Sequence, residues 1–272
     1  MKIGFLLCGY ECDEYIDRVL APWVELKNQS SSDQFVFSCV YGQFKEYAEM
    51  FGQQQVTKPE WANKYSDLID NFILAETPDS EANHRNLALK YLQDQQCDII
   101  WLLDIQDEIY SLEGIKNIIQ YVKSNEYYCW YSVSLKNYVF DEKTYLLDPF
   151  TPPRIFRTSF NGFKLKNFSF DNDPVYQDAK IMDLPGIDYS FDSTRYRSYK
   201  QFSNITIPVS VCGNVNHYTW LNNEKSKFKI LYQNKHFNGI CGYKWNEQEN
   251  KVEFNELYYR SIGQFIPFIG QD

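Results

Sequence analysis

Asp104, Asp107 and Glu108 place three carboxylates within five positions directly behind the apolar run Ile99-Ile100-Trp101-Leu102-Leu103. The run is too short for a free-standing helix and has no helical period, so it reads as a strand buried on both faces, of the kind found in parallel sheets. Asp104 then stands at the carboxyl end of that strand. In open α/β sheets the ligand crevice lies outside those ends, and clustered carboxylates there suit a hard divalent cation that keeps waters and grips a phosphate. The chemistry indicated is metal-assisted handling of a phosphate ester. The plain structural alternative is a turn capped by Asp104, with Asp107 and Glu108 on a solvated loop face.

Elements on either side must position these groups. Residues 2–8 read as a strand, followed by a helix from about Asp13, with Asp13 as N-cap and Ile16, Leu20, Trp23 and Val24 on one face. Phe35 to Val40 is a second strand and Phe44 to Phe51 a second helix, whereas residues 52–67 show no clean period. Thr77-Pro78-Asp79-Ser80 is a start signal for a helix that turns Leu87, Ala88, Tyr91 and Leu92 inward and leads to the strand at 98–103. Ser111 opens another helix with Ile115, Ile118, Ile119 and Val122 on one stripe, and residues 127–139 return to strand. This order predicts an α/β fold with a largely parallel sheet and helices on both faces. From about residue 140 the pattern breaks into short strands and long loops without a separating linker. The expectation is a single domain, with residues 140–272 elaborating the sheet of residues 1–139 and supplying loops for a binding site.

Composition narrows the functional classes. Hydrophobic residues at 44% and charged residues at 23% of 272 describe a globular chain and argue against disorder. Aromatics reach 18%, enough rings to line a site for sugars or bases, although an AT-rich genome produces the same surplus. The net charge of −9 argues against a general nucleic-acid binder. It is uneven: residues 1–159 hold 14 basic and 24 acidic side chains, giving −10, and residues 160–272 hold 13 and 12, giving +1. Arg195, Arg197 and Lys200, then Lys225, Lys227 and Lys229, are candidates to meet an anionic acceptor. The seven cysteines form no CxxC pair and read as reduced core thiols of a cytoplasmic protein. The first apolar stretch, about six residues long, falls far below the roughly 20 that span a membrane, so no transmembrane segment is expected.

With these elements placed, the chain resembles the GT-A fold nucleotide-sugar glycosyltransferases of the broad family 2 type. The carriers are the first strand running into Tyr10-Glu11-Cys12-Asp13-Glu14-Tyr15, the Arg85-Asn86 pair, Leu103-Asp104-Ile105-Gln106-Asp107-Glu108, and Val215-Asn216-His217-Tyr218-Thr219-Trp220 before a Lys-rich helix. The resemblance implies a Rossmann-like sheet with a loop-rich acceptor side, a UDP-sugar donor, Mn²⁺ or Mg²⁺, and transfer with inversion. It implies that Cys8, Gly9, Tyr10, Glu11, Arg85 and Asp104 line the nucleotide, with Arg85 near the diphosphate, where its fork suits phosphate oxygens. Asp104 would take the first acidic position. Gln106 stands at the second and offers only a neutral carbonyl, so Asp107 or Glu108 is the candidate to supply the missing carboxylate, and His217 to complete the metal shell. The structural alternatives are a surface Arg85 paired with Glu81 and a structural His217.

An inverting transfer needs a base opposite the leaving group. Asp171 and Asp173 in Phe168-Ser169-Phe170-Asp171-Asn172-Asp173-Pro174 are the candidates, with Asp188 and Asp192 as competitors. The acceptor is expected to be a glycan precursor or a hydroxymethylated base in phage DNA, and the setting a bacterial or phage-infected cytoplasm. A sugar-phosphate nucleotidyltransferase would need a Gly-rich, basic loop after the first strand, where this chain has Cys8-Gly9-Tyr10-Glu11-Cys12-Asp13. A non-catalytic carbohydrate-binding protein would fit the aromatics but would normally be all-β. Neither GxxxxGK[ST] nor GxGxxG occurs.

Overall fold

The computed structural model describes residues 1–29, 32–128, 130–147, 151–160, 163–164, 168–170, 179–184, 187–191, 204–236, 242–261, 263 and 267–272. Two compact units arise from the contacts: Met1–Ser134 with Thr151–Asn214, and Leu135–Phe150 with Val215–Asp272. Each is built from two stretches of the chain.

In the first unit the chain runs through β1 (Lys2–Gly9), α1 (Ile16–Asn28), β2 (Gln34–Phe44), α2 (Lys45–Phe51), α3 (Glu60–Lys64), β3 (Asn71–Asp79), α4 (Glu81–Asp94) and β4 (Ile99–Asp104). β1 pairs in parallel with β2 on one side and β4 on the other, and β2 pairs in parallel with β3. Side chains alternate across a strand, so β1 serves two faces. Phe5 lies in a cross-strand row with Phe37 and Trp101, and Trp23 of α1 packs on all three with ring centroids 4.9, 6.4 and 5.2 Å away. On the opposite face a Cβ at Gly4 would stand 3.1 Å from Leu92 of α4. The two helices therefore cover opposite faces, and Cys8 and Asp104, in register with each other, have the parity of the α4 face.

β5 (Glu108–Ile109), α5 (Leu112–Ser124) and β6 (Trp130–Val133) follow. The chain then enters the second unit through β7 (Leu135–Phe140) and β8 (Thr144–Leu146) and returns with β9 (Pro153–Arg157). β9 inserts antiparallel to both β4 and β6. Beyond it lie β10 (Ser159–Phe160) and β11 (Phe163–Lys164) as one hairpin, then β12 (Phe168–Phe170), β13 (Ala179–Leu184) and β14 (Ile187–Phe191) as an antiparallel trio. β15 (Asn204–Ile207) pairs in parallel with β6, and α6 (Val209–Cys212) ends the unit. The resulting sheet has seven strands in the order β15-β6-β9-β4-β1-β2-β3, mostly parallel as the sequence predicts.

The second unit contains β16 (Val215–Leu221), α7 (Glu224–His236), β17 (Tyr243–Asn246), β18 (Lys251–Phe254), α8 (Glu256–Ser261) and β19 (Ile269–Gln271). β16 lies parallel to β7, and β8 lies antiparallel to both β7 and β19. Val139, Trp220, Ile230, Tyr243 and Val252 form its core.

Several local expectations change. Asp13 does not cap α1, which starts later, behind Tyr15, with no side-chain cap bond. Ser80 and Ser111 do cap: each hydroxyl accepts from the backbone N–H three residues on, at Asn83 and Gly114. Leu87 is exposed, because the inward stripe of α4 is Ala82, Arg85, Ala88, Leu89 and Leu92 with His84 beside it. The strand expected over residues 127–139 is two strands that break at Ser134 and belong to different units. Among the described cysteines, Cys8, Cys12, Cys39, Cys97 and Cys212 are buried thiols outside any disulfide, as expected. No described helix is long and apolar enough to cross a membrane.

Candidate functional site

Cys8 and Gly9 end β1 where Asp104 ends β4, side by side in the sheet. To one side the order continues to β2 and β3, to the other to β9, so the chain's connections reverse direction at this pair of strands. That reversal opens a crevice at the carboxyl ends. Ile105, the first residue after β4, packs against Gly9: a Cβ there would come within 2.7 Å of its side chain, so this position accepts little beyond glycine.

Arg85 reaches the crevice from the inward face of α4 and is buried. Its Nη2 donates to Asp104 Oδ1 at 3.0 Å and also contacts Glu81 one turn earlier. Arg85 therefore pairs with Glu81, as the structural alternative expects, but it is buried rather than on the surface and also meets the strand-end carboxylate. Burial opposes its charge, but Glu81 and Asp104 outweigh that and hold its pKa above the ordinary arginine value. The Cys8 thiol next to it is pushed well up, first by burial and then by the field of Glu81.

The second oxygen of Asp104 accepts from Arg154 Nη2 at 2.7 Å. The same guanidinium donates through Nε to Glu108 at 2.9 and 3.2 Å and meets it again through Nη2. Glu108 also accepts from the Tyr110 hydroxyl at 3.3 Å and is 1% exposed. Neither Glu108 nor Asp107 is on a solvated loop face: both are buried. Arg154 was not singled out by the sequence. The signal was there, a charged residue inside the apolar strand Pro153-Arg154-Ile155-Phe156, which requires a buried partner. Gln106 is half-buried.

Just beyond β1, the Tyr10 hydroxyl donates to Gln54 Oε1 at 3.0 Å, and its ring lies 6.0 Å from Tyr41. Burial and the neighbouring Glu11 push the Tyr10 pKa up to about 12. Glu11 is exposed and holds a left-handed backbone with φ 51°. Such a conformation is uncommon outside glycine and marks the sharp exit from β1.

His217 belongs to the second unit, buried on β16 opposite Asn137 of β7. Its Nδ1 is 2.8 Å from Asn137 Oδ1 and its Nε2 2.5 Å from Thr219 Oγ1. A ligand at Nε2 would have to displace that hydroxyl. Lys229 lies over the Trp220 ring at 5.4 Å, and Lys227 pairs with Glu247 at 2.7 Å, so both serve contacts within their own unit. Asp171, Asp173, Asp192, Arg195, Arg197 and Lys200 lie outside the described residues, as do the side chains of Asp188 and His236.

No family model and no curated protein matches the chain. Solved structures do. The chain is similar to S. aureus TarS. Against the crystal structure of S. aureus TarS 1–349 the identity is 12% and the TM-score 0.46, covering 92% of this chain and 68% of that one. The crystal structure of S. aureus TarS gives 12% and 0.41, covering 92% and 41%, and TarS 1–349 in complex with UDP-GlcNAc gives 15% and 0.38, covering 58% and 46%. At these identities and TM-scores the likeness carries no inference about what this chain binds or does.

The residues themselves test the expected Mn²⁺ or Mg²⁺. A hard cation needs several anionic oxygens with free lone pairs. Both oxygens of Asp104 already accept from a guanidinium, Glu108 is engaged by Arg154, and Gln106 offers no charge. Among the described residues no three His, Cys, Asp or Glu side chains are grouped to hold a metal ion. A cation at Asp104 would sit against two fixed positive charges. The described residues at this strand end do not fit a resident metal.

Proposed function

We propose that this chain is a glycosyltransferase that moves a sugar from a nucleotide-sugar, with UDP as the nucleotide, to an acceptor hydroxyl. The observation that carries the reading is the crevice between β1 and β4, where the sheet order reverses and a buried arginine stands beside the strand-end Asp104. Crevices of this kind bind nucleotides in open α/β sheets. Tyr10, Gly9 and Cys8 would line the nucleotide, Asp104 would accept from donor hydroxyls, and Arg85, staying on Asp104, would present its positive charge to the diphosphate. As the bond to the sugar breaks, positive charge develops at the ring and negative charge on the departing diphosphate; a fixed guanidinium favours the latter. The acceptor proton would pass to a carboxylate, with Asp171 and Asp173 as the proposed bases for inversion, and the proposed acceptor is a glycan precursor. No step is assigned to a metal.

Calorimetric titration with UDP, in chelator and again with Mn²⁺, tests this. UDP should bind, and Asp104→Asn and Arg85→Met should each weaken it by about tenfold or more. If UDP and UDP-sugars fail to bind under both conditions, the reading is wrong. Binding that requires Mn²⁺ would show that the donor brings a cation which the free site does not hold.

A further inference from the structure

β9 enters the sheet antiparallel to β4, with Phe156 opposite Ile100. Residues two apart share a face, so Arg154 falls on the side that carries Asp104. Its planar fork spans two acids of different standing: Asp104, whose side chain is 27% exposed in the crevice, and Glu108, whose side chain is fully buried. Glu108 cannot relax outward, and it takes both Nε and Nη2. The fork is thereby fixed, and its remaining contact falls on Asp104 Oδ2.

We infer that Arg154 is a positioning residue of the donor site, setting the plane of the Asp104 carboxylate. The inference rests on the glycosyltransferase reading above. A carboxylate on a short side chain turns easily about its terminal bond. Here Arg85 holds Oδ1 and Arg154 holds Oδ2, so the plane is pinned from both ends. A carboxylate held in a fixed plane presents its oxygens to the donor's hydroxyls in fixed directions. Charge supports the same role. Glu81, Asp104 and Glu108 against Arg85 and Arg154 sum to −1; without Arg154 they sum to −2 beside an anionic diphosphate. Lysine would keep the charge but not the two-acid geometry, because an ammonium is a single point.

The test is UDP affinity by calorimetry, with thermal unfolding alongside, for wild type, Arg154→Lys, Glu108→Gln and the double variant Arg154→Met/Glu108→Gln. The double variant strands no buried charge, and Glu108→Gln keeps Arg154 while weakening its anchor. The expected result is a UDP Kd raised about tenfold in Arg154→Lys and in the double variant, and several-fold in Glu108→Gln. A purely structural Arg154 would lower the unfolding temperature without moving the Kd. A Kd within about twofold of wild type in folded Arg154→Lys or double variant overturns the inference and leaves the glycosyltransferase reading standing. Wild-type protein that binds no UDP with or without Mn²⁺ sinks the reading, and the inference with it.

Discussion

Glu108 is a carboxylate that the fold has taken out of reach of water, and Arg154 is what makes that tolerable. Arg154→Met alone should cost about 3–5 kcal/mol, because it leaves a buried charge uncompensated. Adding Glu108→Gln should recover most of the loss, since removing both partners is often close to neutral; denaturant unfolding of the two variants at neutral pH measures this. If the double variant is no more stable than the single one, the pair is not the source of the cost. These residues also mark what single-residue reading can reach. Asp104 was legible because an apolar run that stops on an acid has few explanations. Glu108 was not: spacing places it in a polar loop, and only the return of β9 beside β4 supplies the guanidinium that lets it be buried. The Arg85–Glu81 pair was legible in its four-residue spacing, but the second partner, Asp104, comes from another element and left no local trace.

At the scale of elements, strong local signals carried over and weak ones did not. Ser80 and Ser111 cap because each stands before an uninterrupted helix and has its hydroxyl three residues from a free N–H. The α5 stripe of Ile115, Ile118, Ile119 and Val122 is buried as read, since nothing polar competes for it. In α4 the stripe was misplaced because Arg85 and His84 occupy inward positions that periodicity assigns to apolar residues. β3 went unread because Asn71-Phe72-Ile73-Leu74-Ala75-Glu76-Thr77-Pro78-Asp79 is only half-buried and ends in polar residues. One junction between elements makes a pH prediction. Asp33, just before β2, is half-buried with its side chain 7% exposed; this raises its pKa, but Lys123 of α5 and the N-terminal amine pull it below the usual carboxylate range. A depressed carboxylate contributes stability above its unfolded pKa of about 3.9, and that contribution is lost as pH falls through the folded value. Asp33→Asn should therefore cost about 1–3 kcal/mol at pH 7 and progressively less below about pH 4. An equal cost at pH 7 and in strong acid would show that the charge is not involved.

For the whole molecule, the parallel β1–β4 block with helices on both faces followed from strand and helix alternation. The β15-β6-β9 side of the sheet did not, because β9 and β15 arrive from chain that the sequence presents as short strands and long loops, and pairing partners that distant leave no local trace. This wiring also sets an order of assembly. The four strands that frame the crevice are complete once residue 104 exists, whereas β6 meets β15 across 74 positions (204 − 130). Long-range pairings close slowly. Refolding followed by tryptophan fluorescence should show at least two phases, with the slower one selectively retarded by substitutions in β15, such as Ile207→Ala; a single exponential unaffected by that change would argue against it. On the ribosome the same separation becomes a delay. Arg154 is synthesised 50 residues after Asp104 (154 − 104), which at about 5–20 residues per second is roughly 3–10 s. Through that interval Glu108 has no guanidinium to be buried against, so the nascent chain must keep this strand end wet until β9 emerges and seals it.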